Sequence, residues 1–202
     1  MHARPTAETT AEVRLTAGLA RTFLTYLRSA RENERGGVLL GQFEDWGVAV
    51  AGAVFPPQLA RARDNCAFDV RDIDTVREAV TGLTDGEITR AEGAIVGWVH
   101  SHPAWGLFLS NTDKGTLRSW ISLDDRTVAI VVDPFATEPE ERIACWDKAG
   151  RGRLAVIRKP DQHGFTVRRA SHLAEAISDH GGAGRWDVLV AGGIITVFPG
   201  IG

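Results

Sequence analysis

The sequence predicts an α/β (α+β) fold in which helices flank a mixed β-sheet. Two short apolar runs, 94–99 and 128–132, lack the polar alternation of a half-exposed strand. We therefore expect them to be strands that helices cover on both faces. The chain has 202 residues, of which 44% are hydrophobic, and this is enough for one domain with its own core.

The N-terminal part predicts a tail, a helix and a hairpin. Residues 1–11 are polar and predict a flexible tail. A short strand at 13–15 leads into an amphipathic helix at 16–30, where apolar residues recur at helical spacing. Adjacent glycines end the charged stretch after this helix, and two strands, 38–43 and 47–55, then form a hairpin.

The middle of the chain predicts one irregular stretch and then regular elements. Residues 58–93 are the least regular, with a helix at 73–83. The apolar strand that begins at 94 stops at Pro103, because proline cannot continue a central ladder. A helix at 113–121 follows it. The remaining strands are predicted at 127–133, 142–147 and 154–159.

We assign residues 12–159 to the main domain and residues 160–202 to a C-terminal extension. The extension predicts a short helix at 171–179 and an apolar closing strand or docked tail within 186–198. We expect it to pack on or beside the main domain.

Composition excludes several classes of function. The net charge of −3 and a pI near 6.1 give no electrostatic reason to expect nucleic acid as a partner. The sequence has no apolar run long enough to span a membrane and no signal-peptide core, so the default expectation is a cytoplasmic protein. In a reducing cytosol a disulfide is not expected, and Cys66 and Cys145 are both interpreted as small core residues.

His100 and His102 are the first candidates for a functional site. On a strand, residues two apart point to the same face, so the two imidazoles project side by side where the strand ends. Two imidazole nitrogens and one carboxylate, from Asp113, suit Zn²⁺ with water as the fourth ligand. The alternative is a pair of ordinary surface or hydrogen-bonded histidines. The other histidines after residue 160 follow no ligand spacing and are interpreted as surface residues: His163, His172 and His180.

Ser110 and Asp113 also match a capping box, with Ser110 at the N-cap of the following helix and Asp113 at its third position. The two interpretations of Asp113 are compatible, because a capped first turn would hold the carboxylate rigidly for a metal.

The ordered set of residues resembles the signature of the JAMM (MPN+) metalloproteases. His100-Ser-His102-Pro is followed by Ser110 and Asp113 at the family's spacing. Upstream, Glu34 has glycines three and seven residues later, at Gly37 and Gly41, and the neighbouring Glu32 does not. Downstream, Asp133-Pro134 ends a strand as in the family. The resemblance covers about residues 12–159 and implies an MPN/cytidine-deaminase-like architecture.

The resemblance also implies a reaction. Zn²⁺ would be held by His100, His102 and Asp113, Glu34 would shuttle a proton, and Ser110 would stabilise the oxyanion. The implied substrate is a peptide or isopeptide bond after the C-terminal glycine of a ubiquitin-like protein or a sulfur-carrier protein, and a partner subunit is a further possibility.

Three loop and strand residues near this motif have open interpretations. Trp105 and Phe108 either line a groove for an extended substrate tail or pack under their loop. Ser101, on the opposite strand face from the histidines, either supports the metal ligands or fills space.

Other classes of protein remain as alternatives. One is a non-catalytic scaffold of the same fold, although such scaffolds usually lack the ligands that are present here. The facial triad of an Fe(II) oxygenase uses the same ligand types in a different order. A His-x-His amidohydrolase barrel would need more strands than this chain offers.

Overall fold

A computed structural model describes residues 12–62, 64–82, 94–157 and 167–200. Their helices are α1 (Ala17–Arg28), α2 (Val70–Gly82), α3 (Asn111–Leu123) and α4 (Val167–His180), with a short 3-10 turn at Pro139–Glu141. The strands of the first half are β1 (Glu12–Thr16), β2 (Gly36–Glu44), β3 (Gly47–Phe55), β4 (Ala60–Ala62), β5 (Asn65–Ala67) and β6 (Ala94–Ser101). The strands of the second half are β7 (Val128–Val132), β8 (Ile143–Asp147), β9 (Gly150–Arg151), β10 (Arg153–Ile157), β11 (Trp186–Val190) and β12 (Gly193–Val197).

The main sheet is mixed, which confirms the predicted fold class. Its strand order is β10-β1-β3-β2-β6-β7-β8-β9, and β11 joins it by pairing with the end of β3. Three pairs are parallel, β1 with β10, β1 with β3, and β6 with β7. The hairpin β2–β3 and the pair β2–β6 are antiparallel. β2 and β6, which flank the predicted site, are therefore in the middle of the sheet.

Helices cover both faces of β6 and β7, as their unbroken apolar runs predict. On one face, the core is built with residues of α2, α3 and α4, such as Val76, Trp120 and Leu173. On the other face, residues of α1 such as Phe23 and Leu27 form a second core. None of the helices within the described ranges is both long and apolar enough to cross a membrane.

Two glycines of the upstream motif are required where β2 lies against β3. A Cβ on Gly41 would be 2.0 Å from the carbonyl oxygen of Ala49, and a Cβ on Gly37 would be 2.9 Å from the ring of Phe55. Any larger residue at these positions would force the two strands apart. The glycine spacing after Glu34 therefore reflects the close approach of the strands that hold this segment.

Two regions differ from the sequence prediction. The stretch after Pro57, predicted as irregular, contains the small hairpin β4–β5. The apolar end of the chain is a hairpin, β11–β12, and not a single closing strand, because the chain reverses at Ala191 and Gly192, where Gly192 has φ +80°. Since β11 pairs with β3, this C-terminal hairpin is continuous with the main sheet.

Candidate metal centre

β6 places His100 and His102 on one face of the sheet, as their spacing predicts. Their Nε2 atoms are 3.1 Å apart, and both residues are almost fully buried, with exposures of 0% and 2%. The ring of His100 stacks on Trp98 with centroids 4.3 Å apart, which holds it from one side. β6 ends at Ser101, and the amide of His102 donates to the Val132 carbonyl at 2.9 Å.

α3 brings Asp113 to the two imidazoles. Ser110 is the N-cap of this helix, its Oγ accepts from the Asp113 amide at 3.1 Å, and Asp113 Oδ2 accepts from the Ser110 amide at 2.8 Å. Asp113 Oδ1 is 3.4 Å from His100 Nε2, and Oδ2 is 3.5 Å from His102 Nε2. The capping box thus fixes the carboxylate that faces the histidines.

The three side chains fit a tetrahedral zinc ion. Ligand atoms at about 2.0–2.1 Å from Zn²⁺ lie roughly 3.3 Å apart in a tetrahedron. The distances between the Nε2 and carboxylate atoms here are 3.1, 3.4 and 3.5 Å. Among the described residues, His100, His102 and Asp113 are the one group of histidine, cysteine and carboxylate side chains with ligand atoms this close together.

The protonation states also suit a metal. His102 Nδ1 lies 3.3 Å from the carbonyl oxygen of Gly106, which can only accept, so Nδ1 is the donor in this contact and Nε2 faces the Asp113 carboxylate. Burial lowers the pKa of His100 and favours its neutral form. Burial alone would raise the pKa of Asp113, but hydrogen bonds from His100 and His102 in their protonated form and from Ser110 outweigh it and hold this pKa below its usual range. Metal ligands need these deprotonated forms.

Glu34 lies beside the three candidate metal ligands. It precedes β2 at the rim of the sheet, is 6% exposed, and its Oε1 lies 3.7 Å from His102 Nε2. Its amide donates to the Ala62 carbonyl at 3.0 Å. Burial raises the pKa of Glu34 to about 7, with a smaller opposing effect of His102. Glu32, the competing glutamate in the sequence, is exposed.

Glu34, His102 and Asp113 line a cavity of about 600 Å³. One wall is the β4–β5 hairpin and the residue after it, Phe68, and another is the loop that carries Trp105 and Phe108. Trp105 and Phe108 are 41% and 43% exposed and form the rim of the cavity, and Phe108 also packs on the ring of His102, with centroids 4.6 Å apart. The polar residues that line the cavity close to the candidate ligands are Glu34, His102, Ser110, Thr112 and Asp113.

The prediction that both cysteines are core residues holds for Cys145 and is wrong for Cys66. Cys66 is half-buried and lines the cavity, because β5 turns this side chain toward the site. Burial raises the pKa of the Cys66 thiol, so it is a poor nucleophile at neutral pH.

Of the histidines interpreted as surface residues, His180 is exposed and His172 is half-buried on α4. His163 lies outside the described residues.

Sequence reasoning named Asp133 only as the end of a strand and missed that its carboxylate is buried beside the site. Asp133 is 3% exposed, and it accepts from the amides of Ala104 at 3.0 Å and Gly106 at 2.9 Å. Gly106 is the residue whose carbonyl meets His102. The signal was present, since a carboxylate directly after a buried strand and before Pro134 must find donors in the adjacent loop.

Comparison with known families places the site within a matched segment. Residues 16–148 match the family model described as prokaryotic homologs of the JAB domain. This range contains all five residues that the sequence predicts for the site.

Curated relatives show the same likeness. The chain is 32% identical over 132 residues to the 26S proteasome non-ATPase regulatory subunit 14 of Drosophila melanogaster, covering 65% of this chain and 41% of that protein. It is 35% identical over 100 residues to the ubiquitin carboxyl-terminal hydrolase RPN11 of Saccharomyces cerevisiae, covering 49% of this chain and 31% of that protein. The chain thus spans less than half the length of either relative.

A solved structure shares the fold. The solution structure of a protein from Desulfitobacterium hafniense superposes with a TM-score of 0.55 and covers 76% of this chain and 99% of that one. At 19% sequence identity, this likeness supports the fold alone.

Proposed function

Since the chain belongs to the family of prokaryotic homologs of the JAB domain, we propose that it is a zinc-dependent isopeptidase. It hydrolyses a peptide or isopeptide bond after the C-terminal glycine of a ubiquitin-like protein. The observation that carries this proposal is the convergence of His100, His102 and Asp113 at zinc-ligand spacing, with Glu34 Oε1 3.7 Å from His102 Nε2.

Three residues of the site would bind the metal, and a fourth, Glu34, would transfer protons. His100, His102 and Asp113 would hold a zinc ion, which would lower the pKa of a coordinated water toward neutrality. Glu34 accepts a proton on its carboxylate and returns it to the departing amine. A pKa near 7 suits both tasks, because the carboxyl group can accept and release a proton near neutral pH.

Ser110 supplies a hydrogen-bond donor to the developing oxyanion. Its Oγ already accepts from the Asp113 amide, so its hydroxyl proton is free to point into the cavity that it lines. Donors of this kind contribute roughly 3–4 kcal/mol to transition-state stabilisation.

One relative and the surface of the site support the proposed substrate class. One curated relative is named as a ubiquitin carboxyl-terminal hydrolase. The exposed rim of Trp105 and Phe108 offers apolar surface for an extended tail bound by strand addition. We include sulfur-carrier proteins among the substrates, since their tails share a terminal glycine, and a partner subunit as a further component.

The test uses two linear fusions, one of ubiquitin and one of a bacterial sulfur-carrier protein, each joined through its terminal glycine to a reporter protein. We expect cleavage after that glycine, loss of cleavage with a chelator and recovery with zinc. Glu34→Gln should retain zinc and cut roughly 10²- to 10⁴-fold more slowly. The matched control is Glu32→Gln, an exposed glutamate close in sequence, which should cut like the parent. A zinc-loaded parent that cuts neither fusion would contradict this proposal and favour a scaffold.

A further inference from the structure

The residue after Glu34 is tied to the strand that carries the histidines. The amide of Arg35 donates to Ser101 Oγ at 3.1 Å, and the amide of Ser101 donates to the Arg35 carbonyl at 3.0 Å. Ser101 stands between His100 and His102 and is fully buried. The backbone next to Glu34 is therefore fastened to the segment between the two candidate ligands.

The side chain of Arg35 is anchored on the other side of the sheet. Its Nη1 donates to the hydroxyl of Tyr26 at 2.6 Å, and its guanidinium lies over the Tyr26 ring, 5.0 Å from the centroid. The same hydroxyl donates to Asp187 Oδ2 at 2.8 Å, and Arg35 Nη1 is 3.9 Å from that oxygen. Burial raises the pKa of Tyr26, so the hydroxyl keeps the proton that it donates.

Asp187 belongs to the C-terminal hairpin, outside the segment that matches the family model. It is 1% exposed and accepts from Arg185 Nε at 2.9 Å and from Thr196 Oγ1 at 2.5 Å. A carboxylate this deeply buried requires charged or hydrogen-bonding partners on every side, so its position is rigid. β11, which carries it, is paired with β3 in the main sheet.

Apart from these contacts, the segment that carries Glu34 is held by main-chain turn bonds between residues 26 and 33 and by Gln58, whose side chain bonds the amide and the carbonyl of Gly36. It follows α1 without regular structure, and Arg31 within it has φ +57°, in the left-handed region. The amide of Glu34 donates to the carbonyl of Ala62, at the end of β4. A proton-transferring group must be held to within a fraction of an ångström, because a displacement of about 1 Å can lower the rate about a hundredfold.

We propose that Asp187 and Tyr26 are positioning residues that hold Glu34 in place through Arg35, so that the C-terminal hairpin is a working part of the site. The proposal rests on the catalytic role given to Glu34 above. The C-terminal hairpin, which lies beyond the family match, then has a role in catalysis as well as in packing.

The first experiment measures amide exchange in the full chain with zinc added, and it does not depend on activity. Tyr26→Phe removes the hydroxyl and keeps the ring that packs on Phe55 at 4.7 Å. We expect it, and Asp187→Asn, to speed exchange at Glu34 and Arg35 roughly tenfold by local opening. Unchanged exchange at both amides in both variants would overturn the proposal.

Ile195→Ala is the matched control. Ile195 lies on β12 and packs against the core. It takes no part in the hydrogen bonds that join Asp187, Tyr26 and Arg35. It should weaken the hairpin by loss of core packing while exchange at Arg35 stays near that of the parent. If Ile195→Ala speeds exchange at Arg35 as much as Tyr26→Phe does, the link is general stability and the proposal fails.

The second experiment measures cleavage of whichever fusion the parent cuts. Tyr26→Phe should lower kcat roughly tenfold or more, with KM within about twofold and zinc content unchanged. In a Glu34→Asp background the same change should have a much smaller effect, because both act on one group. The full effect in that background would overturn the proposal. If the parent cuts neither fusion, the proposed function fails while the exchange experiment still decides this inference.

Discussion

The carboxylate of Glu34 lies 3.7 Å from His102 Nε2. Glu34 precedes β2 and His102 follows β6, and these two strands are antiparallel neighbours. The pairing of Gly36 with His100 brings the start of β2 beside the end of β6. A buried carboxyl and a buried imidazole meet there at the rim of the sheet, where a cavity opens to solvent. The predictions below follow from this meeting point.

Glu34 makes the metal-free protein less stable as the pH rises. Burial raises its folded-state pKa to about 7, above the ordinary value of 4.5. Between these values the folded state holds a proton that the unfolded state has released, so the stabilising contribution is complete below pH 4.5 and is lost as the pH passes 7.

The Tm of Glu34→Gln, measured by thermal unfolding in chelator, should therefore rise relative to that of the parent as the pH increases from about 4.5 to about 8. The exposed Glu32→Gln should track the parent throughout. A constant difference between Glu34→Gln and the parent over this range would contradict the raised pKa.

The three proposed ligands, His100, His102 and Asp113, predict one zinc ion per chain. His102→Ala removes one of the three ligands and should abolish binding at micromolar zinc, as measured by elemental analysis after dialysis. At a free zinc concentration about a hundredfold above Kd, the parent should be stabilised by about 2.7 kcal/mol, and the variant should not. His180→Ala, at an exposed position on α4, is the control, and equal zinc retention in both variants would refute the assignment.

Asp133 should control zinc affinity without touching the metal. It holds the amides of Ala104 and Gly106, and the Gly106 carbonyl fixes the orientation of His102. Asp133→Asn places an NH₂ group against one of these N–H donors, so the loop should shift and zinc affinity should fall roughly 10- to 100-fold in a chelator competition. Asp125→Asn, which breaks an exposed ion pair with Lys148, should leave the affinity unchanged. An affinity equal to that of the parent in Asp133→Asn would show that the loop does not orient His102.

Trp105 should contribute substrate binding and not chemistry. It is exposed at the cavity rim, so Trp105→Ala should raise KM for the cleaved fusion roughly tenfold with kcat nearly unchanged. Phe135→Ala is the matched control, because Phe135 has a similar exposure of 45% but lines a neighbouring cavity. A fall in kcat with constant KM would assign Trp105 to the reaction itself.

Local patterns in the sequence predicted most of the regular structure. The apolar runs 94–99 and 128–132 are strands β6 and β7, covered on both faces, and the Ser110-to-Asp113 spacing is a capping box in the structure. The resemblance to the JAMM family is confirmed by the family match. These features depend on residues close in sequence, where side-chain periodicity and capping chemistry decide the outcome.

By itself, the sequence predicted which residues would carry the chemistry: a pair of histidines that share a strand face, an aspartate held by a helix cap, and a glutamate followed by spaced glycines. Only the tertiary structure decided that Asp133 supports the histidine loop, that Cys66 faces the cavity, and that a C-terminal hairpin reaches Arg35 through Tyr26. Such contacts join residues far apart in the chain, and they depend on strand order and on the burial of charge, which no local spacing records.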